Sequence, residues 1–332
     1  MTGTARTPRV ALTGAGGFIG GRLVRRLLND GAEVRALTHY GVDGGQPAWL
    51  PSLDPELRAG LDVQAGDLRD ADWVRRTLDG IDTVFHLGAL VGIPYSYRSP
   101  RDVVETNVVG TLNVLEAARD RSIGRVVHTS TSEVYGSAQF VPMTEAHPLS
   151  AQSPYAATKI AADQLALSYH RSFDLPVSIV RPFNTYGPGQ SARAVVPTVV
   201  TQALVGDRVR LGALSPTRDL NYVDDTVSAF LAVATTEAAI GEVFNVGTGV
   251  ETSIGRVVEL VADILGRELV VESDEQRVRP AGSEVDRLHA DATKLRTTCG
   301  WAPTVSVREG LELTIEWISA NLHLFDPTRY AV

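Results

Sequence analysis

The chain of 332 residues, 44% hydrophobic and 21% charged, is long enough to bury a full core as one large domain or two intimate ones. Its net charge of −8 argues against the basic surface of a nucleic-acid-binding protein, although a local arginine cluster can still hold phosphate in an acidic chain. The lone Cys299 can form no internal disulfide, Met1 to Arg9 has no apolar signal core, and no stretch approaches the roughly 18 uninterrupted apolar residues of a membrane span. The expectation is a soluble cytoplasmic protein with no membrane or nucleic-acid partner.

In chain order, Arg9-Val10-Ala11-Leu12-Thr13 reads as a buried strand. Apolar positions at Phe18, Ile19, Leu23, Leu27 and Leu28 suit a helix from Phe18 to Asn29, which Asp30-Gly31 ends. Residues 43–55, rich in Gly and Pro, read as a loop. Strand patterns follow at 33–38, 61–65, 83–87, 125–129 and 177–181, with helical patterns notably at 100–121 and 153–173. That alternation predicts an α/β fold with a doubly wound parallel sheet. After Pro182 the alternation weakens and Pro and Gly rise, predicting a smaller C-terminal α/β lobe, with a return to the sheet near Val243–Val246. The expected domains are 1–183 plus about 219–252, which bind a dinucleotide, and 184–218 plus 253–332, which bind substrate.

Gly14, Gly17 and Gly20 are spaced G-x-x-G-x-x-G between the first strand and the first helix. Such glycines let the turn close and the backbone approach a pyrophosphate, which then faces the free N–H groups of the helix N-terminus. The acid expected about 20 residues on, for the ribose 2′-hydroxyl, is replaced by Thr38, His39 and Tyr40. No arginine sits there for a 2′-phosphate, so NAD is favoured and NADP left open. Asp67-Leu68, closing the third strand, suit the adenine edge; otherwise Asp67 caps the next helix.

Tyr155 and Lys159 stand at i and i+4, on one face of a helix. A tyrosine, with an ordinary pKa of about 10, serves as a base near neutrality only when a neighbouring cation eases its ionisation. Lysine is scarce: Lys159 and Lys294 are the only two. Upstream, the fifth strand runs into Ser130-Thr131-Ser132-Glu133, where Thr131 can donate to a reacting alcohol and Glu133 supplies a second acid–base group. Asp224-Asp225 are expected to cap a helix opening at Thr226 rather than to bind metal, His128 to be buried structure, and the histidines show no metal-ligand spacing.

Thr13-Gly14-x-x-Gly17-x-x-Gly20, Ser130-Thr131-Ser132-Glu133-Val134-Tyr135-Gly136, Tyr155-x-x-x-Lys159 and Arg181-Pro182-Phe183-Asn184-x-Tyr186-Gly187-Pro188 together resemble the extended short-chain dehydrogenase/reductases, the NAD-dependent epimerase/dehydratase family acting on nucleotide sugars. Gly92 to Tyr97, Gln190 to Pro197 and Ser215 to Asp219 most resemble the legionaminic-acid-pathway sugar-nucleotide 4,6-dehydratases. The resemblance implies a Rossmann-type fold and an NAD cofactor touched by Phe18, Ile19, Leu87, Ala89 and Pro182, as well as by the glycines, Thr38, Asp67, Leu68, Tyr155 and Lys159. It implies that Tyr155, aided by Lys159 and Thr131, takes the sugar 4-OH proton, and that Glu133 removes the C5 proton before water leaves C6.

Glucose-specific dehydratases of the family carry an aspartate where this chain has Ser132, so Ser132 must relay that proton, and glucuronate decarboxylation stays open beside dehydration and 4-epimerisation. The resemblance places Asn184, Arg218 and Arg279 on the diphosphate, Val196 beside the base, and Pro94 and Tyr95 at the sugar, with Arg193 a further contact. The implied partners are a nucleotide-diphosphate sugar and a second copy of the chain, in a homodimer. A non-catalytic dinucleotide-sensing protein is the alternative of another class, and one that would need neither Tyr155 nor Lys159.

Overall fold

Strand and helix alternate from the start: β1 (Arg9–Thr13), α1 (Phe18–Asn29), β2 (Glu33–His39), β3 (Leu61–Gly66), α2 (Ala71–Thr77), β4 (Thr83–His86), α3 (Ile93–Arg98), α4 (Pro100–Val104), α5 (Gly110–Asp120), β5 (Arg125–Thr129), α6 (Pro154–Phe173) and β6 (Val177–Pro182). There follow β7 (Asn184–Tyr186), α7 (Val195–Val205), β8 (Arg208–Leu211), β9 (Thr217–Tyr222), α8 (Val223–Thr235), β10 (Val243–Val246), β11 (Glu251–Ser253), α9 (Ile254–Leu265), β12 (Val270–Ser273), α10 (Thr293–Cys299) and α11 (Val307–Ala320). This computed structural model describes residues 7–41, 49–274, 277 and 285–326. Arg279 and the first part of the 43–55 loop lie outside the described residues.

The chain divides into two compact units. One comprises Met1–Thr131, Pro154–Arg181 and Val227–Phe244; the other comprises Ser132–Ser153, Pro182–Thr226 and Asn245–Val332. The sequence-based boundary at 183 differs from this division chiefly at 132–153, the segment that carries Ser132 and Glu133, which belongs to the second unit.

The large sheet has seven strands in the order β10-β6-β5-β4-β1-β2-β3, and β1 to β6 all pair in parallel. Strand order reverses between β1 and β4, the place where doubly wound sheets open a ligand crevice beyond the strand C-termini. The central strands are mostly buried because both faces are covered, whereas edge strand β3 is only half buried. On one side α1 buries Leu23, Val24, Leu27 and Leu28, each worth about 1.5–3 kcal/mol of apolar burial. A continuous cluster joins Ala11, Val84, Val126 and Ile179 of the sheet to Leu115, Ala118, Ala166 and Tyr169 of α5 and α6.

The expected helix over 100–121 is interrupted: α4 passes into α5 through a π-helical turn, Glu105–Val109, whose extra residue re-aims Asn107. The helix expected to open at Thr226 begins instead at Val223. Asp225 is not its cap; its carboxylate accepts from Thr304 N (3.0 Å), Thr304 Oγ1 (2.8 Å) and Val305 N (3.0 Å) and so anchors a later loop of the second unit.

In the second unit β9 pairs with β7 in parallel and with β11 antiparallel, and β8 pairs with β12 in parallel. Helices α7, α9 and α11 pack on one another. Among the described residues no helix is long and apolar enough to cross a membrane, and no cluster of His, Cys, Asp and Glu could hold a metal ion.

Candidate active site

In the first unit, β1 ends at Thr13 and the glycine loop turns into α1. Gly14 has φ +71°, and a Cβ there would stand 2.8 Å from Gly88 N, so the loop lies directly on the backbone after β4. A Cβ at Gly20 would collide with Gly14 O, so no larger residue fits at either position without displacing backbone. Gly17 caps α1 without a side chain, and the first turn holds no acid. The early N–H groups, those of Phe18 and Ile19 included, thus have no side-chain acceptor competing with an anion.

Trp49, which no sequence signal singles out, buttresses the loop. Its Nε1 donates to Ala15 O at 2.8 Å, its ring fills the space where Gly21 lacks a Cβ, and the Arg25 guanidinium lies over it, 5.8 Å from the ring centroid.

Thr38 is buried at the end of β2, followed by the stacked His39 and Tyr40 rings. Asp67 does not cap α2. Asp70 does, accepting from Trp73 N at 2.9 Å, while Asp67 is clamped by Arg69 Nη2 at 2.6 Å. That hydrogen bond holds the Asp67 carboxyl below its ordinary range. Leu68 packs where Gly88 and Gly110 lack side chains.

Behind the loop runs a one-way chain of hydrogen bonds. Gly88 N donates to Thr13 Oγ1 (2.9 Å), and Thr13 Oγ1 donates to His86 Nδ1 (2.7 Å). His86 Nε2 donates to Thr111 Oγ1 (2.9 Å), whose hydroxyl donates to Asn107 O (2.6 Å). The two ends fix the tautomer, and burial pushes the His86 pKa well down, so the ring stays neutral. The Asn107 side chain takes Leu90 N (2.8 Å) and gives to Leu90 O (3.0 Å) and Thr158 Oγ1 (3.0 Å). It thereby ties the segment after Leu87 and Ala89 to the start of α6.

Tyr155 and Lys159 lie on α6, with exposures of 7% and 4%. Nothing in the described residues accepts a hydrogen bond from Lys159 Nζ, and desolvation pushes its pKa down to about 8. A buried amine without an acceptor, one turn from a buried phenol, has the arrangement that proton transfer from an alcohol requires. Thr131 closes this unit's run from β5. Pro94 and Tyr95 belong to α3; the Tyr95 hydroxyl donates to Asp102 at 2.6 Å, which raises its pKa.

In the second unit, Ser132 and Glu133 open a short 3-10 turn, with Ser132 buried. Gly136 follows at φ +65°, where a Cβ would strike Ser150 O. Ser150 N donates to Val134 O at 2.9 Å and Ser137 N to Gln152 Oε1 at 2.6 Å, stapling the turn that carries Glu133.

The same unit encloses a cavity of about 320 Å³ lined by Asn184, Arg193, Val196 and Arg218, four of the residues expected at the substrate. Gln190 and Arg277 line it too and were not read as site residues from the sequence, Gln190 appearing only inside a motif. Arg218 donates to Thr217 O at 2.9 Å and Arg277 to Asp274 at 2.9 Å, whereas among the described residues no acceptor holds the Arg193 guanidinium. Asn184 Oδ1 and Gln190 Oε1 are buried acceptors with no donor among the described residues. Two orphaned acceptors beside three guanidinium groups suit a ligand with both N–H or O–H donors and phosphate charge.

Comparison with known proteins gives the family. Residues 12–314 match the GDP-mannose 4,6 dehydratase family model. The chain is 36% identical to a UDP-glucose 4-epimerase of Mycolicibacterium smegmatis, over 93% of this chain and 98% of that one. It is 35% identical to a dTDP-glucose 4,6-dehydratase of Streptomyces griseus, over 97% of each. The dTDP-glucose 4,6-dehydratase DesIV of Streptomyces venezuelae, solved with NAD bound, superposes with a TM-score of 0.86 at 33% identity, covering 97% of this chain and 100% of that one. With its Rossmann-type sheet, glycine cradle and buried Tyr155–Lys159 pair, the chain belongs to the extended short-chain dehydrogenase/reductases, in the NAD-dependent nucleotide-sugar epimerase/dehydratase family.

Proposed function

We propose that this protein is a nucleotide-sugar 4,6-dehydratase, converting a nucleoside-diphosphate hexose or N-acetylhexosamine into its 4-keto-6-deoxy product, with NAD as the cofactor. The Gly14–Gly20 cradle and the open N-terminus of α1 would hold the pyrophosphate, with Thr38, Asp67 and Leu68 toward the adenosine and Leu87, Ala89, Lys159 and Pro182 toward the nicotinamide half. When bound, NAD would supply a hydride acceptor for the oxidation at C4 and, once reduced, the hydride for C6.

The chain's own residues handle the protons. Tyr155 takes the proton of the sugar 4-OH, helped by the Lys159 ammonium and a hydrogen bond from Thr131. The 4-keto group acidifies C5–H, and Glu133 removes that proton. The C6 hydroxyl then leaves as water with the proton held by Glu133, passed directly or through Ser132. As hydride reaches C6, a proton from solvent completes C5 and Tyr155 releases the 4-OH proton to solvent, so the net change is loss of one water. Arg193, Arg218 and Asn184 hold the diphosphate, and Val196 packs beside the base.

One observation carries the dehydratase reading: a carboxylate, Glu133, sits two residues beyond Thr131 on a turn braced by Ser150 and Gln152. Simple 4-epimerisation requires no base at C5. The similarity to a UDP-glucose 4-epimerase supports a second reading, 4-epimerisation of the nucleotide sugar, and Ser132 keeps decarboxylation of a nucleotide glucuronate beside it.

The test is incubation with UDP- and GDP-N-acetylglucosamine and NAD⁺, following product mass. Loss of one water without net cofactor reduction is expected. An isobaric epimer, or carbon dioxide release from a nucleotide glucuronate, would overturn the reading. We also expect a homodimer.

A further inference from the structure

Beneath Lys159, one helical turn further along α6, stands a carboxylate that the proton transfers do not use. Asp163 has no exposed surface. Three donors converge on its Oδ2: Ser130 Oγ at 2.8 Å, Arg181 Nη2 at 2.9 Å and Arg181 Nε at 3.1 Å. Its Oδ1 accepts no hydrogen bond and lies 3.4 Å from His128 Nε2, itself fully buried on β5. A buried carboxylate with one oxygen saturated and the other bare still projects much of its charge onto its surroundings.

The groups facing this carboxylate and Lys159 come from four elements: Tyr155 on α6, His86 on β4, His128 on β5 and Arg181 on β6. Neither histidine adds positive charge. His86 is held neutral by its hydroxyl partners, and burial depresses His128. Arg181 adds a second buried cation, itself held by Asp163 Oδ2. Asp163 is therefore the only anion among these groups, set at i+4 from Lys159.

We propose that Asp163 is a positioning residue for the reaction: fixed by Ser130 and Arg181, its carboxylate keeps the buried Lys159 ammonium charged so that Tyr155 can release its proton. The inference rests on the assignment of Lys159 to the catalytic group. It accounts for an aspartate whose other role, pairing Arg181, needs only Oδ2. Burial pushes the Lys159 ammonium toward its neutral form, and the Asp163 charge, one helical turn along the same helix, opposes that push.

The chain's two lysines make a direct test possible. In protein labelled with ¹³C,¹⁵N-lysine only Lys159 and Lys294 give side-chain signals, and Lys294→Arg assigns them. In Asp163→Asn the Lys159 titration is expected to move down by about one pH unit or more, as loss of an adjacent opposite charge requires. The alkaline limb of kcat/KM should move with it, and Asp163→Glu should restore both. A Lys159 titration unmoved in Asp163→Asn overturns the proposal, as does a uniform fall in kcat at every pH with both limbs in place. A titration that moves while the pH–rate profile does not upholds the link between Asp163 and Lys159 and instead removes Lys159 from the catalytic group. Should Asp163→Asn not fold, the wild-type protein still tests it: a neutral Lys159 at pH 7 overturns the proposal.

Discussion

The two units hold ligand-facing groups in different ways. In the first, the cradle is made of backbone: Gly14 lies on Gly88 N, Gly20 on Gly14 O, and the groups on offer are helix N–H donors. In the second, the cavity is made of side chains from separated segments: Asn184 and Gln190 after β6, Arg193 before α7, Arg218 on β9 and Arg277 after β12. A backbone site tolerates almost no substitution at its glycines but asks little of other residues. A side-chain site can be retuned one residue at a time, which, on the proposed function, suits selection among nucleotide sugars.

Perturbing each region sharpens this contrast. The largest effect is expected for Tyr155→Phe, with turnover down by about 10²- to 10⁴-fold while NAD affinity measured by calorimetry stays within twofold. Unchanged turnover would remove the phenol from the mechanism.

Lys159→Met should likewise lose turnover yet gain stability. A drop from 10.5 to about 8 corresponds to up to about 3 kcal/mol of strain from burying the charged amine. Because the folded pKa lies below the unfolded one, that cost is present in full below pH 8 and fades as pH rises through 10.5. The rise in Tm should therefore be greatest near pH 7 and vanish at high pH, which thermal melts at several pH values would check.

Gly20→Ala forces Cβ against Gly14 O and should weaken NAD binding or stability by about 1–3 kcal/mol, leaving nucleotide-sugar affinity in the second unit intact. Arg193→Gln should do the reverse, raising KM for the sugar nucleotide about tenfold with NAD affinity unchanged. The smallest change is expected for Trp49→Phe, which keeps the ring but deletes the bond to Ala15 O; NAD affinity should fall by a few-fold, about 1 kcal/mol or less, with kcat unaltered.

What was legible in the sequence follows the same divide. The parallel sheet, the glycine cradle and the Tyr155–Lys159 face rest on short-range spacing, which a linear reading sees directly. Asn107 escaped because a π turn rotates it inside what reads as a regular helix. Acids commonly open helices, which on a linear reading makes Asp67 a cap, in the alternative to an adenine contact, and Asp225 another. Asp70 takes the first role, and Asp225 is instead satisfied by the backbone of Thr304 and Val305, some 80 residues on. Trp49, Gln190 and Arg277 matter through what lies across from them, and no local pattern announces a partner that distant.

Trp49 also has a practical consequence. Because its indole N–H is bonded to the glycine loop itself and its ring lies against α1, any change in that loop alters the surroundings of this fluorophore. Trp73, Trp301 and Trp317 provide a background that Trp49→Phe would isolate by subtraction. If the loop holds the dinucleotide as proposed, Trp49 is placed to act as a native optical gauge of its arrival, readable in a stopped-flow instrument without dye, tag or turnover.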